Sequence, residues 1–554
     1  MGGETDMKKS VVLLILATIS LSLNAYSPDW QWALSAGGSG WDEANSVAVD
    51  SAGNIYLAGS FQYTAHFGSL SVTATGAEDI FVAKADSSGN WLWVKKAGGY
   101  GSDSANSLII DGAGNIYITG YFTGGAGFGR HYLVSSGEKD IFIAKLAPNG
   151  EWLWSRSAGG PANDSAYSLA LDSGGNVYLT GKFYETANFG NIELSSHGSA
   201  DLFLAKLSSQ GDWLWAVRAG GEDYAEGVSI ALDGNDDLLL TGVFSGTAHF
   251  GGLSLTAGGW QDIFIAKYSA GGSWLWAERA GGELEDTPHS LTTCSDNHVY
   301  LTGEFRDSAD FGDNELNSGS PYLPNIFVAK LNSGGAWLWA EQGWSSASAV
   351  ARSLAPDNSG NLLLTGYYWN DLQFGDINLN GSGGFTASLD PEGNWLWAIP
   401  AGDNDNVFSY STAAGEGGNI VLTGIFSGYA LFEPYVLTGS GLTDIFLAKF
   451  DITTTADDES LLPEHIYSFN YPNPFNPRTT IVFTLSAPGE TRLDIYNVRG
   501  QRIKNLLHDF KEPGEHRIGW DGRDERGDSV ASGVYFYRIV SGDKHIQRKI
   551  ILIK

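Results

Sequence analysis

Seven near-copies of one unit, each with four short apolar stretches and no helical periodicity, predict an all-β chain. Four-stranded units repeated seven times make a seven-bladed β-propeller, in which radial repetition hides the sheet edges. A compositionally different segment after the array predicts a small immunoglobulin-like β-sandwich. Glycine supports the assignment of many tight turns: 73 of 554 residues is about 13%, nearly double the usual share.

The repeat is marked by Trp-x-Trp pairs at Trp30/Trp32, Trp91/Trp93, Trp152/Trp154, Trp213/Trp215, Trp274/Trp276, Trp337/Trp339 and Trp395/Trp397. Successive pairs lie 61, 61, 61, 61, 63 and 58 residues apart. After each pair come a glycine-rich turn (Ala97-Gly98-Gly99) and an apolar stretch (Ser107–Asp111), then Gly114-Asn115-Ile-Tyr-Ile-Thr-Gly120 and a Phe-Gly such as Phe128-Gly129. The unit closes on Asp140-Ile-Phe-Ile-Ala-Lys145. That motif recurs at Asp79, Asp201, Asp262 and Asp444, has Asn325 in place of Asp once, and has decayed to Gly383-Gly384-Phe385 in the sixth copy. Turns such as Asp86-Ser-Ser-Gly-Asn90 and Asp111-Gly-Ala-Gly-Asn115 supply residues that tolerate positive φ. The array begins with a Trp-x-Trp strand and ends with an Asp-Ile-Phe strand (Asp444–Phe450). Pairing the two would give a Velcro closure by the N-terminal strand.

The Asp-x-x-Gly-Asn-x-Tyr-x-Thr-Gly and Asp-Ile-Phe-x-Ala-Lys stretches resemble those of bacterial β-propeller repeat proteins of the SBBP type, over roughly residues 30 to 450. The resemblance implies the fold and is nearly silent on activity.

Expected domains are a signal peptide at 1–25, a propeller at 26–451, a linker at 452–466 and a tail domain at 467–554. Lys8 and Lys9 precede an apolar run from Val11 to Leu23 that ends at Ala25, and Met7 is the more natural start. That run is too short for a permanent bilayer anchor, so no transmembrane segment is expected in the mature chain. Charge separates the other parts. Residues 26–463 carry 16 basic and 50 acidic side chains, whereas Glu464 to the end carries 14 basic and 11 acidic. The tail alternates in runs at Thr479–Leu485, Arg492–Tyr496, Arg502–Leu507, Val534–Ile539 and Gln547–Ile553.

Tyr471-Pro472-Asn473-Pro474-Phe-Asn-Pro477, Leu493–Gly500, Trp520-Asp-Gly-Arg-Asp524 and Ser532-Gly533-Val-Tyr535-Phe-Tyr-Arg-Ile539 make this tail similar to C-terminal sorting domains of the type IX secretion system. In form it resembles the immunoglobulin-like domain of flagellar hook-capping proteins. The resemblance implies that the secretion machinery is a partner. It also implies delivery through the periplasm to the surface or medium of a Gram-negative bacterium.

A formal charge of −31 argues against nucleic acid as a partner. The one cysteine, Cys294, excludes an intrachain disulfide and a cysteine-built zinc site, and replaces the strand-end aspartate of its copy as a buried variant. His66 and His249 share a repeat position with Gly127, Asn188, Asp310 and Gln373, which speaks for solvation rather than catalysis. Asp42, Asp103, Asp164 and Asp286 recur four residues before a serine; turn chemistry accounts for them better than a cation-binding ring. Asp521, Asp524 and Asp528 could hold calcium, but turn residues there need no metal. No catalytic residue, metal site or cofactor is assigned, because Walker, G-x-S-x-G and H-E-x-x-H patterns are missing.

Fourteen of 19 tryptophans belong to the pairs, where they are expected to pack between blades, and Trp520 belongs to the tail. Trp41, Trp260, Trp344 and Trp369, with Tyr100, Tyr224 and Tyr322, fall in the longer loops at one end of the propeller. An aromatic-rich face of this kind suits a glycan or protein ligand. The expected function is non-enzymatic binding or adhesion; the alternative is a secreted hydrolase or lyase with a site built from unrepeated loop residues.

Overall fold

The computed structural model describes residues 29–294, 297–403, 405–415, 418–451, 467–471, 475–485, 488–512, 514–542 and 544–553. The signal-peptide and linker expectations, with Pro472, Asn473 and Pro474, lie outside these residues. Among the described residues the protein is all-β, and no helix is long and apolar enough to cross a membrane. Contacts divide the chain into two compact units, Met1–Thr453 and Thr454–Lys554.

The first unit is a propeller-type array of antiparallel sheets. In the first sheet Asp42–Val49 pairs with Ile55–Phe61, that strand with Asp79–Ala85, and that with Trp91–Gly99. A small hairpin, Thr64–Phe67 with Leu70–Thr73, is inserted between the second and third strands. The order recurs from each later inner strand: Ser104–Ile110, Ser165–Leu171, Ala225–Leu232, Thr287–Thr293, Ala349–Pro356 and Val407–Ala414. The last sheet takes its outer strand from the other end of the chain. Asp29–Ala36 pairs antiparallel with Asp444–Asp451, placing Trp32 opposite Lys449 just as Trp93 lies opposite Lys84.

Two devices join neighbouring sheets. The second tryptophan of a pair reaches forward: the indole N–H groups of Trp32, Trp93, Trp154, Trp276 and Trp339 donate to Ser87, Pro148, Ser209, Ser333 and Pro391 carbonyls at 3.2–3.3 Å. The first tryptophan does not pack between sheets as expected. It stacks edge-on against the phenylalanine of the hairpin inserted in its own sheet, as Trp91 does on Phe67 at 5.1 Å and Trp152 on Phe128 at 5.2 Å. The second device lies at the centre. Ser46, Ser168, Ser229, Ser290, Ser353 and Ser411 accept, through Oγ, the amides of Leu108, Ile230, Leu291, Leu354, Thr412 and Val47 on the following inner strands. The last of these bonds returns to the first inner strand.

The Asp-x-x-Gly-Asn turns are held by their aspartates. Asp111 accepts the amides of Ala113 and Asn115 and the Asn115 side-chain N–H, while Gly114 sits at φ +78°. Burial opposes ionisation there, but the Asn115 and Ala113 bonds and Lys145 outweigh it and hold the carboxyl below its usual range. Cys294 stands in the equivalent place and is half-buried, rather than buried as expected.

The second unit has two sheets around one core. Tyr467–Tyr471, Thr479–Leu485 and Gly514–Trp520 form one; Arg502–Lys511, Gly489–Asn497, Gly533–Ser541 and Lys544–Leu552 form the other. Trp520 fills the middle, 5.3 Å from Phe475 and 5.4 Å from Tyr535 between ring centroids. Phe475 exchanges backbone hydrogen bonds with Ile551 and Ile553, both at 2.9 Å, tying the start of this unit to its final strand.

Candidate functional site

The inner strands are not regular. Each carries a one-residue register shift, and the residues at the shifts are Asn45, Asn106, Tyr167, Val228, His289, Arg352 and Tyr410. A bulge of this kind re-aims one side chain without breaking the sheet. The serine that follows is the same in every copy; the bulge residue is not. Five residue types occupy these seven positions, each beside a serine that never changes.

The bulge side chains reach their neighbours around the circuit. Asn45 and Asn106 donate to the carbonyls of Ala105 and Ala166 on the next inner strands, at 3.0 and 2.8 Å. His289 Nδ1 lies 3.5 Å from Arg352 Nη1, and the Arg352 guanidinium lies 5.5 Å from the centre of the Tyr410 ring.

Between the third and fourth inner strands the mouth is closed on itself. Lys182 Nζ pairs with Glu226 at 2.9 Å and donates to Tyr224 OH at 2.8 Å, and Tyr224 OH donates to Glu226 Oε2 at 2.5 Å. Tyr224, one of the expected ligand contacts, is therefore half-buried and already engaged.

The other half is open only in the sense that its polar groups are not paired off with one another. Glu43 and Glu304 are half-buried and make no side-chain hydrogen bond among the described residues. Burial raises both carboxyls: Glu78 adds to the rise at Glu43 against Arg352, and Arg306 and Arg352 oppose it at Glu304. Burial and Arg352 lower His289 to about 3, so its imidazole is neutral. With Nδ1 facing the Arg352 donor, the proton belongs on Nε2, which has no partner. Beside these groups three rings pack together: Tyr367 edge-on to Trp369 at 5.3 Å and to Phe408 at 5.0 Å, and Trp369 tilted against Phe408 at 5.9 Å.

Of the expected contacts, the structure brings only Trp369 and Tyr224 to this mouth. Trp41 is 49% exposed and its backbone bridges to Thr443; Trp260, Tyr100 and Tyr322 are 72%, 88% and 83% exposed. Trp344 lies in the outer strand Trp337–Ser345 rather than in a loop, and its indole donates to Ser318 O at 3.2 Å. Glu43, His289, Glu304, Arg352 and Tyr410 were missed. For His289, Arg352 and Tyr410 the signal was present as a changing position beside an unchanging serine; Glu43 and Glu304 carried no such mark.

The recurring aspartates form a different feature. Asp42, Asp103, Asp164 and Asp286 are fully buried, and each accepts two backbone amides, such as Gly99 at 2.7 Å and Thr123 at 3.0 Å for Asp103. Each also faces an Asp of an Asp-Ile-Phe or related strand: Asp444, Asp79, Asp140 or Asp262. His66 and His249 are exposed. In the tail, Asp524 accepts the amides of Arg526 and Asp528, and Asp521 pairs with Lys504 at 3.3 Å.

Comparison with known proteins adds the decisive observation at the C-terminal end. Residues 470–554 match the model of the secretion system C-terminal sorting domain, and residues 31–60 and 92–128 match that of the β-propeller repeat. The chain is a propeller-repeat protein with a type IX sorting domain. That domain directs export to the cell surface or extracellular space and implies contact with the type IX machinery. An uncharacterised WD repeat-containing protein of Acanthamoeba polyphaga mimivirus is 22% identical, over 72% of this chain and 36% of its own length. The chain thus spans about a third of that curated relative. PorZ, a surface component of the type-IX secretion system of Porphyromonas gingivalis, aligns over 92% of this chain and 81% of its own, at 13% identity and a TM-score of 0.21. A puromycin hydrolase aligns over 80% and 59%, at 11% identity and a TM-score of 0.38.

Proposed function

We propose that the exported protein is a closed seven-bladed propeller carried by an immunoglobulin-like sorting domain, and that it works as a non-enzymatic binding or adhesion module. The ligand sits at the central mouth, on the side of Glu43, His289, Glu304 and Arg352. One observation carries this reading: the bulge residues of the inner strands change from copy to copy beside an unchanging serine, and His289, Arg352 and Tyr410 meet one another around the inner circuit. Adaptable polar groups beside an aromatic cluster, on a rigid ring, are what a preorganised binding site requires.

The test uses the secreted full-length chain, screened against immobilised glycans and extracellular proteins. Arg352→Ala and Trp369→Ala should lose capture while keeping the parent's melting temperature and export. Retained capture in both variants would move the site elsewhere. The raised carboxyls of Glu43 and Glu304 favour one second reading, a secreted hydrolase or lyase. That reading requires product release from a captured polysaccharide, abolished by Glu43→Gln or Glu304→Gln.

A further inference from the structure

We infer that the open half of the mouth is a subsite for a neutral saccharide ring. The inference rests on the binding reading above and adds the chemistry of the ligand. Glu43 and Glu304 occupy the repeat positions that Glu226 and Lys182 fill in the closed half, yet only the closed pair is satisfied. Lys182, Tyr224 and Glu226 neutralise one another in the closed half. In the open half Glu43 and Glu304 lack donors among the described residues, His289 Nε2 lacks an acceptor, and Arg352 meets only the imidazole edge and the Tyr410 face.

A ligand that settles these groups must offer donors and acceptors within a few ångströms of each other. A compact anion would meet two carboxylates, and a compact cation would meet Arg352. A hydroxyl both donates and accepts, so a ring of hydroxyls can answer the acids, the imidazole N–H and the guanidinium together. The apolar face of such a ring needs a flat partner, and Trp369, 38% exposed and backed by Phe408 at 5.9 Å, supplies it. The charge of residues 26–463, 16 basic against 50 acidic, disfavours sulfated or uronic polymers over neutral ones.

The experiment applies the secreted full-length protein to arrays of neutral, sulfated and uronic glycans and of extracellular proteins. Calorimetry then measures neutral oligosaccharides from the array. Neutral glycans should be captured, with affinity lowered about tenfold or more by Trp369→Ala and by Arg352→Ala. Trp260→Ala, away from the mouth, should bind as the parent does, and Trp369→Phe should retain part of the affinity. Melting temperatures of all variants separate loss of binding from loss of fold. Capture of only acidic glycans or only proteins, still dependent on Trp369 and Arg352, would overturn the saccharide inference and leave the binding reading standing. Neutral-glycan binding indifferent to both substitutions would overturn both. Absence of any neutral-glycan capture at millimolar concentration overturns the inference as well.

Discussion

The amide of Val47 donates to Ser411 Oγ at 3.2 Å across 364 positions of sequence. Five equivalent bonds link other neighbouring inner strands, as from Leu108 back to Ser46 at 3.1 Å, so this one joins the last inner strand to the first. A serine hydroxyl suits the place because it can accept the amide left unpaired beside a bulge and still bond elsewhere. The same residue run therefore builds the circuit and, one position earlier, aims a variable side chain at its mouth.

Closure is the first expected property. Asp29–Ala36 supplies the outer strand for Asp444–Asp451, and Trp30 packs 4.9 Å from Phe432 and 5.0 Å from Phe450. Trp30→Ala should cost about 3–5 kcal/mol, as for a core tryptophan. Deletion of residues 26–38 should lower the stability of the whole array, not of one sheet. Hydrogen exchange confined to Asp444–Asp451, with the other sheets protected as in the parent, would argue against closure.

A glycine is tied to an acid pair. At Gly98, φ +135°, an added Cβ would come within 2.8 Å of Asp103 Oδ2 and 2.9 Å of Asp79 Oδ1. Where the fifth unit meets the sixth, all three have changed: Trp344 stands in the glycine place, Asn325 in that of Asp79 and Ala349 in that of Asp103. Asn325 Oδ1 there accepts the Ser345 amide at 2.7 Å. Gly98→Ala should therefore destabilise by about 1–3 kcal/mol, and by less in an Asp103→Ala background. Additive effects in a denaturant double-mutant cycle would refute the coupling.

These cases show what could be read from the sequence. The strand order, the turn aspartates and the ring-closing partner were legible because repetition turns one unit's pattern into seven tests of it. The tail strands at 479–485 and 492–496 were legible from alternation, whereas Tyr467–Tyr471 and Gly514–Trp520 were not; the second begins Gly-Glu-His-Arg, without a clear apolar face. The mouth was not legible because a bulge shifts the two-residue period by one. His289 and Arg352 read as ordinary strand positions, and only the register shows that they are the extra residues. Aromatic loops drew attention instead, and most of those side chains stand in solvent away from the mouth.

Export should depend on the tail and not on the array. Trp520, Tyr535 and Phe475 share one core, and Phe475 is bonded to Ile551 and Ile553. Removal of residues 467–554 should leave a folded propeller in the periplasm, since its sheets contact one another in sequence. Phe475→Ala should reduce surface delivery by loosening the tail, with the propeller's own unfolding transition unchanged. Cell fractionation together with melting of the retained protein checks both points, and normal surface levels after truncation would refute the dependence.

Acid pairs also set a pH optimum. Burial, with the like charge of a facing carboxyl, raises Asp42 and Asp103 to about 6 and Asp164 and Asp286 to about 7, against the pull of their backbone amides. These groups stabilise the fold fully below the unfolded value near 4, and the contribution is lost as pH rises through 6 and 7. The turn aspartates Asp50, Asp111, Asp172 and Asp233 are lowered, so theirs is lost as pH falls below about 4. Stability should peak at about pH 4 and decline as pH rises through 6 and 7. Asp140→Asn isolates one pair. Asp140 Oδ1 is buried without a partner, and it flanks Gly159 together with Asp164 Oδ2, with Glu185 the other acid near Asp164. An amide nitrogen in place of that oxygen turns a repelling neighbour of Asp164 into a donor. The variant should gain about 1–2 kcal/mol over the parent at pH 8 and little at pH 4.5, read from urea unfolding at both values. A stability difference that did not change with pH would show that the pair does not carry the neutral-side loss.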